Sequence, residues 1–184
     1  DMVAELYNET PIHRDNFIML VKKEFYDGTL FHRVIPSFMI QGGDPTSKNN
    51  SLKTKIGTGG PGYTLPPEFN SKYFHKKGAL AAARMGDAVN PKKESSGSQF
   101  YIVEGKVYDE KTIDAVALRM GKTLTPEQKK IYTTIGGTPH LDADYTVFGE
   151  LVKGFEVISK ISNATRDKSN LPINNIKMTI SIIK

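Results

Sequence analysis

Residues 31–44, FHRVIPSFMIQGGD, place polar side chains in a stretch that otherwise has the composition of a protein core. The polar groups are the imidazole of His32, the guanidinium of Arg33 and the amide of Gln41, and two glycines and an aspartate end the stretch. A guanidinium stays charged and offers rigid, forked hydrogen-bond donors. Held among apolar side chains, it could act as a fixed donor toward a bound molecule, so this stretch is the first candidate for a functional site.

The position of Arg33 depends on the strand pattern around it. Alternation along 29–34 predicts two strand faces, one with Leu30, His32 and Val34 and the other with Thr29, Phe31 and Arg33. A proline ends this run, and the next strand would bring Phe38, Met39 and Gln41 beside Arg33. The alternative is a surface arginine whose aliphatic stem covers apolar neighbours. The local pattern alone favours this surface alternative.

The elements that must position these residues are predicted as short strands and a few helices. Thr10-Pro11 marks the start of a helix of about 13 residues, because proline is favoured at the first helical position. A second helix is expected at 154–162, and the period-2 alternation of 176–182 predicts the clearest strand. Other predicted strands lie at 3–6, 29–34, 38–41, 79–83, 99–103 and 145–150. Many short strands joined by Gly- and Pro-rich turns favour a barrel or a sandwich.

Residues 109–135 differ from the rest because they contain two helical patterns. The first pattern ends at Gly121 and places its apolar side chains on one face, namely Ile113, Val116, Ala117 and Met120. The second opens at 125–128 with TPEQ, a capping box, and closes at the glycines 136–137. We therefore predict a helical hairpin inserted into a β domain. Either it shapes specificity or it is structural padding, and the sequence leaves both possibilities open.

Composition and charge argue against several classes of function. The chain has 184 residues, close to one domain, and no cysteine for disulfide or thiol chemistry. Its net charge of +5 comes from scattered lysines rather than from a basic block with interleaved aromatics, so we expect no nucleic-acid partner. No apolar run has the roughly 18 residues that a membrane span needs. The four histidines lack metal-ligand spacing, and Pro66-Pro67 blocks the helix that the GTGGPG at 57–62 would need to bind a pyrophosphate.

The stretch 31–44 resembles the signature of the cyclophilin family of peptidyl-prolyl cis-trans isomerases. Further family elements resemble GSQFYI at 97–102, LD at 141–142 and YTVFG at 145–149, and their order and rough spacing also match. Asn16-Phe17 in the first helix fits as well. A chance match over the whole first motif is negligible, so the resemblance favours a buried Arg33 over a surface arginine.

The resemblance implies a mainly β fold: a closed eight-stranded antiparallel β-barrel capped by two α-helices. On this interpretation residues 1–184 form a single cyclophilin-like domain with a helical insert at about 105–137. The family's barrel normally starts with a strand that would lie before Asp1, so we expect the first strand to be partly missing or a leader to have been removed. Similar inserts occur in bacterial members. The compartment stays unknown, with a bacterial periplasm or cell envelope favoured over the cytoplasm.

The activity that the resemblance implies is rotation about X–Pro peptide bonds, which assists protein folding. Arg33 would be the catalytic donor, and Gln41 would orient it and hold the substrate carbonyl side. The substrate-binding set would be Phe38, Met39, Ala83, Arg84, Gln99, Tyr101, His140, Leu141, Tyr145 and Phe148. Arg84 and Gln99 would bind the peptide backbone, the former through its main chain. No metal, cofactor or covalent intermediate is needed.

Several positions depart from the usual family residues. His140 stands where many members have tryptophan, which predicts weak cyclosporin binding. Tyr145 replaces a frequent histidine and Tyr101 a usual phenylalanine. The expected partners are proline-containing peptides and unfolded or partly folded proteins, acted on by a monomer. Two alternatives are a barrel that binds proline-containing segments without turnover and an unrelated β-barrel carrier for a small ligand.

Overall fold

The computed structural model describes residues 1–48 and 56–183, and short antiparallel strands dominate it. The strands are β1 (Val3–Leu6), β2 (Arg33–Ile35), β3 (Met39–Gly42), β4 (Thr64–Leu65), β5 (Ala79–Ala82), β6 (Ser95–Ser96), β7 (Phe100–Val103) and β8 (Val147–Lys153). The α-helices are α1 (Pro11–Lys22), α2 (Ile113–Arg119), α3 (Pro126–Thr134) and α4 (Phe155–Ser162), and 3₁₀ turns cover Pro45–Lys48 and Pro139–Leu141. Residues 49–55 and 184 of the predicted domain lie outside the described residues.

Six of these strands form one antiparallel sheet in the order β1-β8-β5-β7-β3-β2. The short strands β4 and β6, which the sequence pattern did not predict, pair separately with each other. The mainly β, antiparallel fold class is confirmed.

Both helices predicted outside the insert are confirmed. Pro11 occupies the first turn of α1, as the Thr10-Pro11 signal indicates, although the Thr10 side chain makes no capping hydrogen bond. The apolar faces of α1 and α4 bury Leu20 and Ile158 against the sheet. Throughout 1–48 and 56–183, the helices are too short or too polar to span a membrane.

Strand alternation divides the sheet's side chains into two apolar clusters. The main core cluster contains Ile40, Leu80, Phe100, Ile102 and Phe148, together with residues of α1 and α4. The second cluster, here called the pocket cluster, contains Met39, Ala79, Ala81, Ala83, Tyr101, Val103 and Val147, with Phe38, Leu141 and Tyr145 packed against it. Because neighbouring residues of one strand enter different clusters, each central strand builds the core and the pocket at once.

Two strand predictions were wrong in extent. In 29–34 only the last two residues belong to β2, and further back the Phe31 backbone N–H donates to the Ile176 carbonyl of the tail. Phe31 packs in the same core cluster as Val34, although the predicted alternation put these two residues on opposite faces. The tail 176–182 forms a single bridge, Leu30 to Lys177, rather than the clearest strand. Its alternation still reports the buried face, since Ile176, Met178 and Ile180 pack on the main core.

The helical hairpin is present as predicted. The side chain of Thr125 accepts from the backbone of Gln128 and the Gln128 side chain accepts in return, which completes the capping box of α3. A small apolar cluster of Ile113, Ala117, Leu124 and Tyr132 holds the two helices together. At its base, Gly137 bridges to Lys76 and Lys106, and a Cβ on Gly137 would lie 2.2 Å from the His75 carbonyl oxygen. The insert is therefore fastened to the segment that leads into β5.

Candidate active site

The sheet register places the candidate catalytic residues in one row. Arg33 on β2 faces Gln41 on β3, Gln41 faces Tyr101 on β7, and Tyr101 faces Ala81 on β5. Directly paired residues share a face of the sheet. Four strands therefore bring a cation, an amide, a phenol ring and a methyl group side by side.

The guanidinium of Arg33 is held at the edge of the pocket cluster rather than in open solvent. Its Nη1 donates to the Gln41 side-chain oxygen at 3.2 Å and approaches the Met39 sulfur at 3.9 Å, and its Cζ lies 5.9 Å from the centre of the Phe38 ring. Partial burial lowers the pKa of Arg33, but a guanidinium is so strongly basic that the side chain keeps its charge. The site thus contains a cation with donors left over for a ligand.

A chain of amides fixes Gln41 from behind. The Gln41 Nε2 donates to the Gln99 Oε1 at 3.1 Å, and the Gln99 Nε2 donates to the carbonyls of Gly57 at 3.0 Å and Gly59 at 2.7 Å. Asp44 in turn accepts from the backbone nitrogens of both glycines. The glycine-rich stretch is therefore a support for the site, and the orientation of Gln41 leaves its oxygen facing Arg33.

A cavity of about 90 Å³ opens beside Arg33. Nine of the twelve predicted site residues line it: Arg33, Phe38, Met39, Gln41, Ala83, Arg84, Tyr101, Leu141 and Tyr145. Its walls are apolar or aromatic except for the two arginines, the Gln41 amide and the tyrosine hydroxyls. An apolar ring fits such a cavity, with a cationic donor on one side.

The remaining three predicted residues lie elsewhere. Gln99 stands behind Gln41, and its amide is already hydrogen-bonded. His140 is exposed on the 3₁₀ turn, and its ring stacks on Phe38 at 5.4 Å. Phe148 packs against Phe17 in the main core instead of lining the cavity. The reason is that side chains alternate along a strand. Val147 lies on the pocket face of β8, so the next residue, Phe148, faces the core.

Arg84 is held by its side chain while its main chain stays available. The Nε donates to the Asp144 carbonyl at 2.7 Å, Nη1 donates to Asp87 at 2.6 Å, and Cζ lies 4.4 Å from the centre of the Tyr145 ring. Among the described residues, the backbone N–H and C=O of Arg84 make no hydrogen bond. Both groups can therefore pair with an extended peptide, the role expected of this position.

Sequence reasoning missed the buried polar network behind Tyr101. The Tyr101 hydroxyl lies 2.9 Å from His75 Nε2, His75 Nδ1 lies 2.9 Å from Asp142 Oδ1, and the Tyr132 hydroxyl donates to Asp142 Oδ2 at 2.7 Å. These four residues come from distant parts of the sequence and form no motif, so no local signal predicts them. Within 1–48 and 56–183, no group of acidic, histidine or cysteine side chains is arranged to hold a metal ion.

Comparisons with known proteins agree with this geometry. The family described as cyclophilin-type peptidyl-prolyl cis-trans isomerase matches residues 1–181. A protein of Staphylococcus haemolyticus named for this isomerase activity is 35% identical over 181 residues, covering 96% of this chain and 82% of the relative. A Streptococcus pyogenes protein named as a bifunctional phosphatase and peptidyl-prolyl cis-trans isomerase is 36% identical, but this chain spans only 35% of its length.

A solved structure extends the agreement to three dimensions. The cyclophilin-type isomerase of Cryptosporidium parvum, crystallised in the presence of the dipeptide Ala-Pro, aligns with a TM-score of 0.70 and 27% identity, over 97% of this chain and 89% of that one. The sequence match over nearly the whole chain, the shared fold and the pocket beside Arg33 lead to one conclusion. This chain belongs to the cyclophilin family of peptidyl-prolyl cis-trans isomerases.

Proposed function

We propose that this chain catalyses cis-trans rotation about X–Pro bonds in peptides and partly folded proteins, with Arg33 as the donor to the prolyl nitrogen. The observation that carries this assignment is the half-buried guanidinium at the wall of an apolar cavity, oriented by Gln41. The cavity would take the proline ring, and the free backbone of Arg84 would pair with the residues before it.

The reaction needs a hydrogen-bond donor that stabilises the twisted transition state more than the planar ground state. Resonance in the peptide bond sets a rotation barrier of about 18–20 kcal/mol, and twisting removes that resonance. The nitrogen then becomes pyramidal and recovers a basic lone pair, which a cationic N–H group stabilises. The planar bond has no such lone pair, so the interaction favours the transition state over the ground state. Arg33 supplies this donor without any proton transfer or covalent step.

The surrounding residues prepare that donor. Gln41 and Gln99 fix the guanidinium through successive hydrogen bonds, and Met39 and Phe38 remove part of its hydration. Donors that are oriented before the reaction pay little reorganisation during it. The apolar cavity helps further, because a twisted amide is less dipolar than a planar one.

The experiment is turnover of an X–Pro peptide in a protease-coupled assay with the wild type and Arg33→Ala. We expect the substitution to lower kcat/KM by about 10²–10³-fold, the size typical of losing one preorganised donor. Arg119→Ala, which removes an exposed arginine at the end of α2, is the matched control and should stay near wild type. A loss under threefold for Arg33→Ala would mean that this side chain is not the donor.

The exposed His140 supports a second proposal, weak cyclosporin binding. The imidazole stacks on Phe38 but offers less apolar area than the tryptophan usual in the family. Introducing that residue, His140→Trp, should tighten inhibition of the isomerase assay without changing turnover of a short peptide. A nanomolar inhibition constant for the wild type would contradict the proposal.

The single domain and the closed barrel are also proposals. The tail pairs with the segment before β2, since the Phe31 backbone N–H donates to the Ile176 carbonyl and the Met178 N–H donates to the Thr29 carbonyl. Main-core residues come from both outer strands and from the tail, which supports a sheet that curves around one interior. Closure would leave the pocket cluster on the outer surface of the barrel, which is where a peptide could reach it.

A further inference from the structure

The helical insert is joined to the proposed proline pocket by side-chain contacts. Tyr132 on α3 is fully buried, and its hydroxyl donates to Asp142. Asp142 lies next to Leu141 and three residues before Tyr145, both of which line the cavity. The first contact of the insert therefore ends on the segment that forms one wall of the pocket.

The same carboxylate holds a second chain of hydrogen bonds that reaches the pocket floor. Asp142 accepts from the His75 backbone N–H and from its Nδ1. A carboxylate accepts, so His75 donates from Nδ1, and when the ring is neutral its Nε2 is an acceptor for the Tyr101 hydroxyl. Burial raises the pKa of Tyr101 and of Tyr132, so both phenols keep the protons that they donate.

A third contact comes from the connection between α2 and α3. The Lys122 ammonium donates to the Asp142 carbonyl and to the Asp144 carboxylate. The Asp144 carbonyl accepts from Arg84, whose guanidinium lies on the Tyr145 ring. Lys122 thus fixes the same wall segment at a second point, close to the residues expected to hold the peptide backbone.

We propose that the insert is a positioning element of the proline pocket, in which Tyr132 and Lys122 hold the wall at 141–145 and, through Asp142 and His75, the Tyr101 ring. This inference rests on the proposed function and assigns the insert a part in it. This connection depends on the Tyr101 hydroxyl, which a phenylalanine at the same position would lack. Structural padding would require no contact with pocket residues.

The two kinetic parameters separate positioning from catalysis. The pocket holds the proline ring in the planar and the twisted state alike, so loosening it weakens both equally. Uniform loss of binding raises KM and leaves kcat unchanged. Tyr132→Phe keeps the ring in its apolar cluster and removes only the hydroxyl. We expect it to raise KM for an X–Pro peptide about fivefold, with kcat within about twofold of wild type.

Tyr108→Phe is the matched control. It removes a tyrosine hydroxyl from the same part of the insert, and among the described residues that hydroxyl has no hydrogen bond to Asp142. Its KM should stay near wild type. A double variant tests the connection itself: if Tyr132 acts through Tyr101, then Tyr101→Phe combined with Tyr132→Phe should raise KM by less than the product of the single effects.

The outcomes distinguish this inference from the proposed function. An inactive wild type overturns the proposed function. An active wild type in which Tyr132→Phe lowers the melting temperature, or kcat alone, without raising KM overturns the insert's positioning role and leaves the isomerase assignment standing. Fully multiplicative effects in the double variant also overturn it. If Tyr132→Phe does not fold, Lys122→Gln tests the same wall segment and must raise KM as well.

Discussion

The two faces of the central strands carry different side chains: one face packs the core, and the other forms the pocket. On the core face, β5 and β7 carry Leu80, Phe100 and Ile102, which fill the space beneath α1 and α4. On the pocket face, β5 carries only methyl groups, those of Ala79 and Ala81. Ala83, which follows β5 on the same face, lines the cavity, while large residues on the other face supply the packing.

Polar groups are distributed in the same way. The pocket face accepts Arg33 and Gln41 because each has hydrogen-bond partners there and part of the guanidinium stays in contact with water. In the main core an unpartnered charge would cost several kcal/mol. Stability and activity are thus carried by alternate residues of the same strands, and substitutions can separate them.

The largest effect is expected on the core face. Phe100→Ala should lower the free energy of unfolding by about 3–5 kcal/mol, because it removes a buried ring that contacts Phe17 and Tyr26 and leaves a cavity. Denaturant unfolding measures this loss. At a temperature where the variant is still folded, its kcat should stay within a fewfold of wild type. A loss below about 1 kcal/mol would contradict the assignment of this face as the core.

A substitution on the pocket face should show the converse. Ala83→Leu adds three carbons at the wall of the cavity and should lower kcat/KM by about 30-fold, equivalent to about 2 kcal/mol. Ala83 borders an open cavity into which the added carbons can project, so the stability cost of overpacking should stay near the low end of about 1–3 kcal/mol. Ala164→Leu, after α4, is the control. Unchanged turnover in Ala83→Leu would show that the ligand does not use this cavity.

A smaller effect is expected from pH, through His32 behind the site. Burial lowers the pKa of His32 from its ordinary value of 6.5, so the unfolded chain binds a proton that the folded chain resists. Stability contributed by the neutral ring is complete above about pH 6.5 and is lost as the pH falls from there toward the folded pKa. Unfolding midpoints at several pH values between 7 and 5 should fall, and His32→Leu should flatten the slope. An equal slope in the variant would contradict a role for His32.

Part of this arrangement could be predicted from the sequence. Arg33, Phe38, Met39 and Gln41 lie within one stretch, and a strand, a turn and a second strand suffice to bring them together. The insert was predictable from its caps and apolar periodicity. Both features depend on interactions between residues that are close in the sequence, so a single contiguous segment is enough to predict them.

The features that were missed depend on distant pairing. Phe148 was assigned to the pocket from the family resemblance. The short run at 145–150 does not itself fix which parity faces the ligand, because a single step along β8 reverses it. The tail alternates as a strand does, yet its partner at 28–31 leaves the sheet geometry after one bridge. The His75–Asp142 network forms only when segments that are distant in the sequence come together, so no local sequence pattern predicts it.

The central claim is that Arg33 acts on the twisted amide rather than on the bound peptide. Exchange spectroscopy on an X–Pro peptide measures both its affinity and its cis-trans exchange rate on the protein. In Arg33→Ala we expect the affinity to stay within about threefold while the exchange rate of the bound peptide falls by about 10²-fold or more. Equal losses in affinity and exchange, or exchange that persists without the guanidinium, would contradict the account.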